Sequence, residues 1–223
     1  MKEIISIKGL SKKYISEAGE QTVLDGLDFT VKDGEFVAVI GDSGSGKTTL
    51  LNMLGALDLP TGGEIKIAGQ SLNKLKEKEL VEFRRKHIGF IFQDYNLIEE
   101  LTVYENVLFS AKLKKLAVNK ETVEKLLVLL KLAEKKNKFP SQLSGGEKQR
   151  VAILRSVVGM PDIILADEPT GNLDEENTKA VIKLLKFFNK KYGVTILMVT
   201  HNNQLTRICD KVVRVKNGKL EIC

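Results

Sequence analysis

The sequence predicts an α/β protein with a parallel sheet at its core, and three observations carry that reading. The runs "EFVAVIG", "DIILADE" and "VTILMVT" are short and almost continuously apolar, as strands buried on both faces of a parallel sheet are. The first runs straight into "GDSGSGKTTLLNMLGAL", where Leu50, Leu51, Met53, Leu54 and Leu57 recur at helical spacing. Between the first and second of these strands, roughly from Thr102 to Lys138, strand signal gives way to helix, with Val123, Leu126, Leu127 and Leu130 forming one apolar stripe.

The flanking elements follow from local chemistry. "EIISIKGL" and "LDFTVKDG" are alternating or β-branched runs punctuated by glycine, and read as strands. Near the other end "KVVRVKNGKLEI" is a hairpin, with Asn217-Gly218 as its two-residue turn. No internal repeat, low-complexity tract or linker interrupts the chain. The expected organisation is one unit over residues 1–223, with a helical subdomain inserted at roughly 95–157.

At 223 residues the chain can bury a sizeable core. Lys and Arg number 35 against 29 Asp and Glu, giving a net charge of +6. These charges are scattered rather than blocked, which reads as a solvated surface. Cys209 and Cys223 are the only cysteines, with no CxxC spacing, so a disulfide scaffold or zinc site is not expected and a reducing compartment fits. No apolar run approaches the ~20 residues of a membrane span. The start "MKEIISIKGL" lacks the apolar region of a signal peptide. The expectation is a cytoplasmic chain.

"GDSGSGKT" matches G-x-x-x-x-G-K-[ST]. Gly41, Asp42, Ser43, Gly44, Ser45 and Gly46 form a loop whose amides point inward at phosphate, and Lys47, Thr48 and Thr49 open a helix whose positive end adds to the attraction. Lys47 reaches the β- and γ-phosphates, and the Thr48 hydroxyl suits Mg2+. The expected ligands are therefore a nucleoside triphosphate and Mg2+. "IILADE" ends a buried strand in two carboxylates. Asp167 is placed to hold Mg2+ through a water, and Glu168 to act as general base on the attacking water.

A second glycine-rich helix mouth follows in "LSGGEKQR". Ser144 caps a helix carrying Val151, Leu154 and Val158, and Gly145 and Gly146 bare its first amides. One pocket has little use for two phosphate sites. The second is expected to serve another chain's nucleotide, in a head-to-tail pair that sandwiches two ATP molecules.

"LSGGEKQR" resembles the signature motif of ATP-binding cassette (ABC) ATPases, and the family's other elements follow in order over essentially the whole chain. The resemblance implies a P-loop NTPase (RecA-like) parallel core with an antiparallel β subdomain and an inserted helical subdomain. It implies that Tyr14 of "KKY" stacks on adenine. Gln93 of "GFIFQD" becomes the glutamine that senses Mg2+ and the attacking water and links to a membrane partner. Ser144, Gly145 and Gly146 become γ-phosphate contacts in trans, Asp174 of "GNLD" belongs to the loop through which two chains communicate, and His201 of "VTHN" is the switch histidine at the γ-phosphate.

"LADEPTGNLD" is similar to ATPases of the macrolide-efflux and lipoprotein-release type, and Glu77 to Val107 to the bacitracin-resistance type. These relatives usually carry Ala-Arg-Ala where this chain has Leu154-Arg155-Ser156, a departure in helix packing rather than in the site. The implied partners are a second copy, a separate transmembrane permease and, as an optional addition, an accessory extracytoplasmic protein, but no nucleic acid. The implied location is the cytoplasmic face of the membrane. The implied output is export or extraction of antimicrobial peptides, macrolides or lipoproteins. A mechanical signalling module controlling cell-wall remodelling shares every motif. A soluble nucleic-acid-linked ABC ATPase is disfavoured by the absence of tandem cassettes, coiled-coil inserts and zinc cysteines. A small-molecule kinase would leave "LSGGEKQR" and His201 unexplained.

Overall fold

The computed structural model describes residues 2–16, 19–115 and 120–223. In chain order the elements are β1 (Glu3–Ser16), β2 (Gly19–Lys32), β3 (Phe36–Ile40), α1 (Lys47–Leu54), β4 (Gly62–Ile67), β5 (Gln70–Ser71), α2 (Glu77–His87), β6 (Ile88–Ile91), α3 (Val103–Leu113) and α4 (Lys120–Leu129). They continue with α5 (Gly145–Val157), β7 (Ile163–Asp167), α6 (Glu175–Tyr192), β8 (Thr195–Val199), α7 (Asn203–Thr206), β9 (Lys211–Lys216) and β10 (Lys219–Ile222). The helical stretch expected from Thr102 to Lys138 includes residues 116–119, and the N-terminal stretch includes Met1; both lie outside the described residues.

Two sheets form. The central one runs β10-β9-β3-β8-β7-β6, parallel except for the β9–β10 hairpin at its edge. The other is antiparallel, in the order β2-β1-β4-β5. All five residues of β3 are buried, because the central sheet is covered on both sides. Val37, Val39, Leu165 and Leu197 face α1 and the antiparallel sheet in one apolar cluster. Phe36, Ile164, Ile196 and Met198 alternate to the other side, against α5 and α6. Val123, Leu126, Leu127 and Leu130 join that second cluster, so the helical stripe packs with the sheet's outer face.

The hairpin turn at Asn217-Gly218 has φ of 48° and 71°, the paired left-handed values a two-residue hairpin requires. One expectation fails at the end of α1. Leu57 does not extend the helical stripe, and is 52% exposed. The helix closes on itself first: Ala56 takes φ 54°, its amide donates to Met53 O and that of Leu57 to Asn52 O, 3.0 and 2.8 Å. This is the paired-bond stop usually made with glycine in the left-handed position. Gly55 must precede it because a Cβ there would lie 2.0 Å from the Phe90 ring.

Parallel strands deliver their C-terminal ends to one edge, and open α/β sheets bind ligands there. The pairing of Val39 with Val199 and of Asp167 with Val199 brings the ends of β3, β7 and β8 level. Gly41, Asp167-Glu168 and Thr200-His201 emerge together.

Candidate nucleotide site

The phosphate loop leaves β3 with Gly41, Gly44 and Gly46 at φ 152°, 74° and 101°, values closed to most side chains. A Cβ on Gly41 would stand 2.3 Å from the Val215 carbonyl oxygen. Gly46 caps α1 in left-handed geometry with no side-chain bond to the helix amides, so the first turn keeps its donors for a ligand. Ser45 Oγ is buried among them without a partner, as expected of a hydroxyl that pairs with phosphate. Lys47 Nζ donates to its own loop, to Gly41 O at 2.9 Å and Asp42 O at 2.7 Å. Burial lowers its pKa, and the carboxylates of Glu168, Asp167 and Asp42 oppose that shift.

At the end of β7, Asp167 Oδ2 accepts from Thr48 Oγ1 at 3.1 Å. Burial raises the Asp167 pKa against the Thr48 bond and the charges of Lys47 and His201. Among the described residues no group of three or more His, Cys, Asp or Glu could hold a metal. A lone carboxylate and hydroxyl fit Mg2+ nonetheless, since that ion keeps several waters and takes its other ligands from nucleotide phosphates.

Glu168 follows with φ 44°, a left-handed backbone unusual outside glycine and asparagine. Its amide donates to Val199 O at 3.1 Å, which fixes the turn and directs the side chain at His201. Oε2 accepts the His201 amide at 3.3 Å. Oε1 lies 3.2 Å from His201 Nε2, yet it is buried without hydrogen-bond alignment to any group. Burial raises the Glu168 pKa; the His201 amide and charge oppose it, and Asp167 adds to it. A carboxylate so held is a stronger proton acceptor than a free one. His201 lines both the cleft at Gly41 and Asp42 and a larger one, of about 790 Å3, that reaches Glu168 between α6 and α7.

Tyr14 stands near α1, where the Thr49 hydroxyl acts on its phenol. Its hydroxyl donates to Asp58 Oδ2 at 2.8 Å, and Lys12 Nζ lies 4.8 Å from its ring centre. Tyr14 as a whole is 42% exposed, which leaves it accessible to a ligand. Gln93 does not join the Thr48–Asp167 pair in this conformation. Its Nε2 donates to Asn172 Oδ1 at 3.5 Å, and Asn172 Nδ2 donates back to Gln93 O at 3.4 Å.

The signature loop has its own neighbours. Ser144 Oγ accepts the Glu147 amide at 3.3 Å and Glu147 Oε2 accepts the Ser144 amide at 2.8 Å, a complete capping box. A Cβ on Gly145 would meet Tyr95 Oη, Leu173 and Asn172, and one on Gly146 would collide with Asn177. Asp174 caps α6 by accepting the Asn177 amide. The cradle, by contrast, touches Val23, Leu24, Val215 and Asp167. Sequence reasoning missed Asn172 and Asn177; both follow "GNLD" closely or lie within it, but no spacing rule shows which helix they will meet.

A parallel sheet whose edge gathers this cradle, a paired-carboxylate strand end and a histidine defines a P-loop nucleoside triphosphatase. The family model described as ABC transporter matches residues 24–171. The chain is 42% identical over 219 residues to the bacitracin export ATP-binding protein BceA of Halalkalibacterium halodurans, covering 97% of this chain and 87% of that protein. It is 46% identical over 221 residues to the macrolide export ATP-binding/permease protein MacB of Psychrobacter cryohalolentis, covering 97% of this chain but spanning only 33% of that protein. A dimeric, post-hydrolysis structure of the ATP-binding cassette MJ0796 bound to ADP and Pi aligns with a TM-score of 0.88 at 40% identity, covering 97% of this chain and 96% of that one. The chain belongs to the ABC transporter family, as an ATP-binding subunit that hydrolyses ATP.

Proposed function

We propose that two copies of this chain, placed head to tail, close around two ATP molecules and drive a separate membrane permease. The observation that carries this reading is the separation of the two glycine mouths within one chain. The cradle neighbours Val215 and Asp167, whereas the signature loop neighbours Tyr95, Asn172 and Asn177. A second copy brings one mouth to face the other.

In the sandwich, Lys47 exchanges the carbonyls of Gly41 and Asp42 for phosphate oxygens, and Ser45 Oγ gains an acceptor. Tyr14 stacks on the base. Thr48, and Asp167 through a water, would hold Mg2+ with Gln93 nearby, and the ion would supply positive charge at the phosphates. Glu168 takes the proton of the attacking water, with His201 fixing the carboxylate through its amide. The partner's Ser144, Gly145 and Gly146 contact the γ-phosphate, and Gln93 and Asp174 relay the nucleotide state. ATP binding favours the closed pair and cleavage removes the bridge.

The chain acts as one unit over 1–223 with a helical subdomain at roughly 95–157. Among the described residues no helix is long and apolar enough to cross a membrane; by likeness to the bacitracin export ATP-binding protein, the permease in this reading is a separate polypeptide, and this chain docks on it at the membrane's cytoplasmic face. The cargo class, by likeness to relatives, is antimicrobial peptides, macrolides or lipoproteins, with an accessory extracytoplasmic protein as a further partner. Glu168→Gln tests the scheme. It is expected to bind ATP, accumulate as a dimer and turn over about a hundredfold more slowly or worse; unchanged turnover removes Glu168 from its role.

A further inference from the structure

Helices α3 and α5 begin alike. Thr102 with Glu105, and Ser144 with Glu147, form reciprocal boxes in which the glutamate turns back to the amide of its own cap. Helix α6 departs from this pattern at the same position. Asp174 accepts the Asn177 amide at 2.8 Å, but the Asn177 side chain does not return to the backbone. Its Nδ2 donates to both Asp174 carboxylate oxygens, at 3.1 and 2.9 Å. Its Oδ1 turns outward and accepts from Arg150 Nη1 of α5 at 3.4 Å. A Cβ on Gly146 would stand 1.9 Å from that same oxygen.

The side chain is matched to both neighbours. Asp174 needs a donor and Arg150 needs an acceptor, and an amide offers both from one short branch. Two polar side chains of the signature helix have buried atoms without partners. Gln149, one turn beyond Gly146 on the same helix face, is fully buried with neither amide atom partnered, and Arg150 Nε is buried and unpartnered too. Apolar side chains of α5 and α6 share one cluster, and Asn177 adds the polar link between the signature helix and the Asp174 cap.

We propose that Asn177 is a positioning residue for ATP hydrolysis. It locks the signature mouth, which serves the partner's nucleotide, to the Asp174 loop, so that a shift at one is imposed on the other. This rests on the two-copy reading above. Asn177 itself touches no nucleotide.

The test uses the full chain, with ATP-dependent dimerisation followed by analytical ultracentrifugation in the Glu168→Gln background. Steady-state kinetics are measured in the parent, and binding of a fluorescent ATP analogue in dilute monomer. Asn177→Ala is expected to raise the ATP needed for dimerisation, and to lower kcat, by on the order of tenfold, the loss of a hydrogen bond to a charged group, while monomer affinity for the analogue stays unchanged. Arg150→Ala should give the same loss, the double variant no further loss, and Arg150→Lys, which keeps a donor for Oδ1, should recover most of the activity. If Asn177→Ala or Arg150→Ala merely melts earlier while dimerisation and kcat are intact, or if the two losses add, the proposal is overturned. Ser144→Arg separates the layers. If it still dimerises, the two-copy reading fails and takes this inference with it; if it stays monomeric while Asn177→Ala dimerises like its parent, the inference alone fails.

Discussion

In the phosphate cradle Gly41, Gly44 and Gly46 lie at positive φ and α1 starts with no side-chain cap. In the signature loop Gly145 and Gly146 sit in ordinary helical backbone behind a complete capping box. Both are glycines at the mouth of a helix, yet the first set is there for backbone conformation and the second for lack of bulk. The cradle must curl so that its amides converge. The signature helix could curl just as well with alanines, but the Asn177 amide occupies the space beside Gly146.

The difference is sharpest where a methyl group is added. Gly41→Ala combines an unfavourable φ of 152° with a Cβ 2.3 Å from the Val215 carbonyl. The expected loss is about 3 kcal/mol of stability together with nucleotide binding, measured by denaturant unfolding and ATP titration. A folded variant within about 1 kcal/mol of the parent would mean that β9 does not press on the loop.

The signature pair should respond more mildly, and the two glycines should differ. Gly146→Ala must displace Asn177, an overpacking of about 1–3 kcal/mol, partly offset by about 1 kcal/mol of helix propensity. Gly145→Ala is crowded by the Tyr95 hydroxyl alone, at 3.0 Å, with Leu173 and Asn172 at ordinary contact distance, so propensity should win and its melting temperature should equal or exceed the parent's. Both should still bind ATP as monomers, and Gly146→Ala should lose more turnover. Equal thermal shifts for the two would erase the packing distinction.

The smallest effect is electrostatic and falls on the cradle side alone. Burial holds the Glu168 pKa above the ordinary carboxylate value. The folded chain thus binds that proton more tightly than the unfolded chain, and stability is lost as pH rises from the unfolded value through the folded one. Glu168→Gln removes this term. Without nucleotide it should gain melting temperature relative to the parent above that interval, and the gain should shrink in acid. An offset independent of pH would show that the carboxylate's ionisation is not what differs.

Much of this was legible in the residues because it is local. The strand–loop–helix from Phe36 to Leu54, the paired acids after β7 and the Asn217-Gly218 turn each depend on neighbours within a few positions. Leu57 falls outside the helical stripe, and the sequence does not show it, because a stop built on Ala56 in left-handed geometry carries no glycine or proline signature at that position. Gln93 was expected near Mg2+, but its side chain here rests on Asn172, a pairing across 79 positions. Asn177 was invisible for the same reason. Its spacing from Asp174 suggests a cap, and only the packing of α5 on α6 turns its carbonyl toward Arg150.

The backbone at Glu168 has a consequence for how such chains change over time. A left-handed non-glycine residue costs about 1–2 kcal/mol that glycine does not, and this one also buries a carboxylate. Selection for endurance alone, as in a heat-resistance screen blind to turnover, would favour replacing Glu168, the residue proposed as general base. A duplicated gene no longer selected for turnover would be free to lose Glu168 while keeping its nucleotide-binding fold.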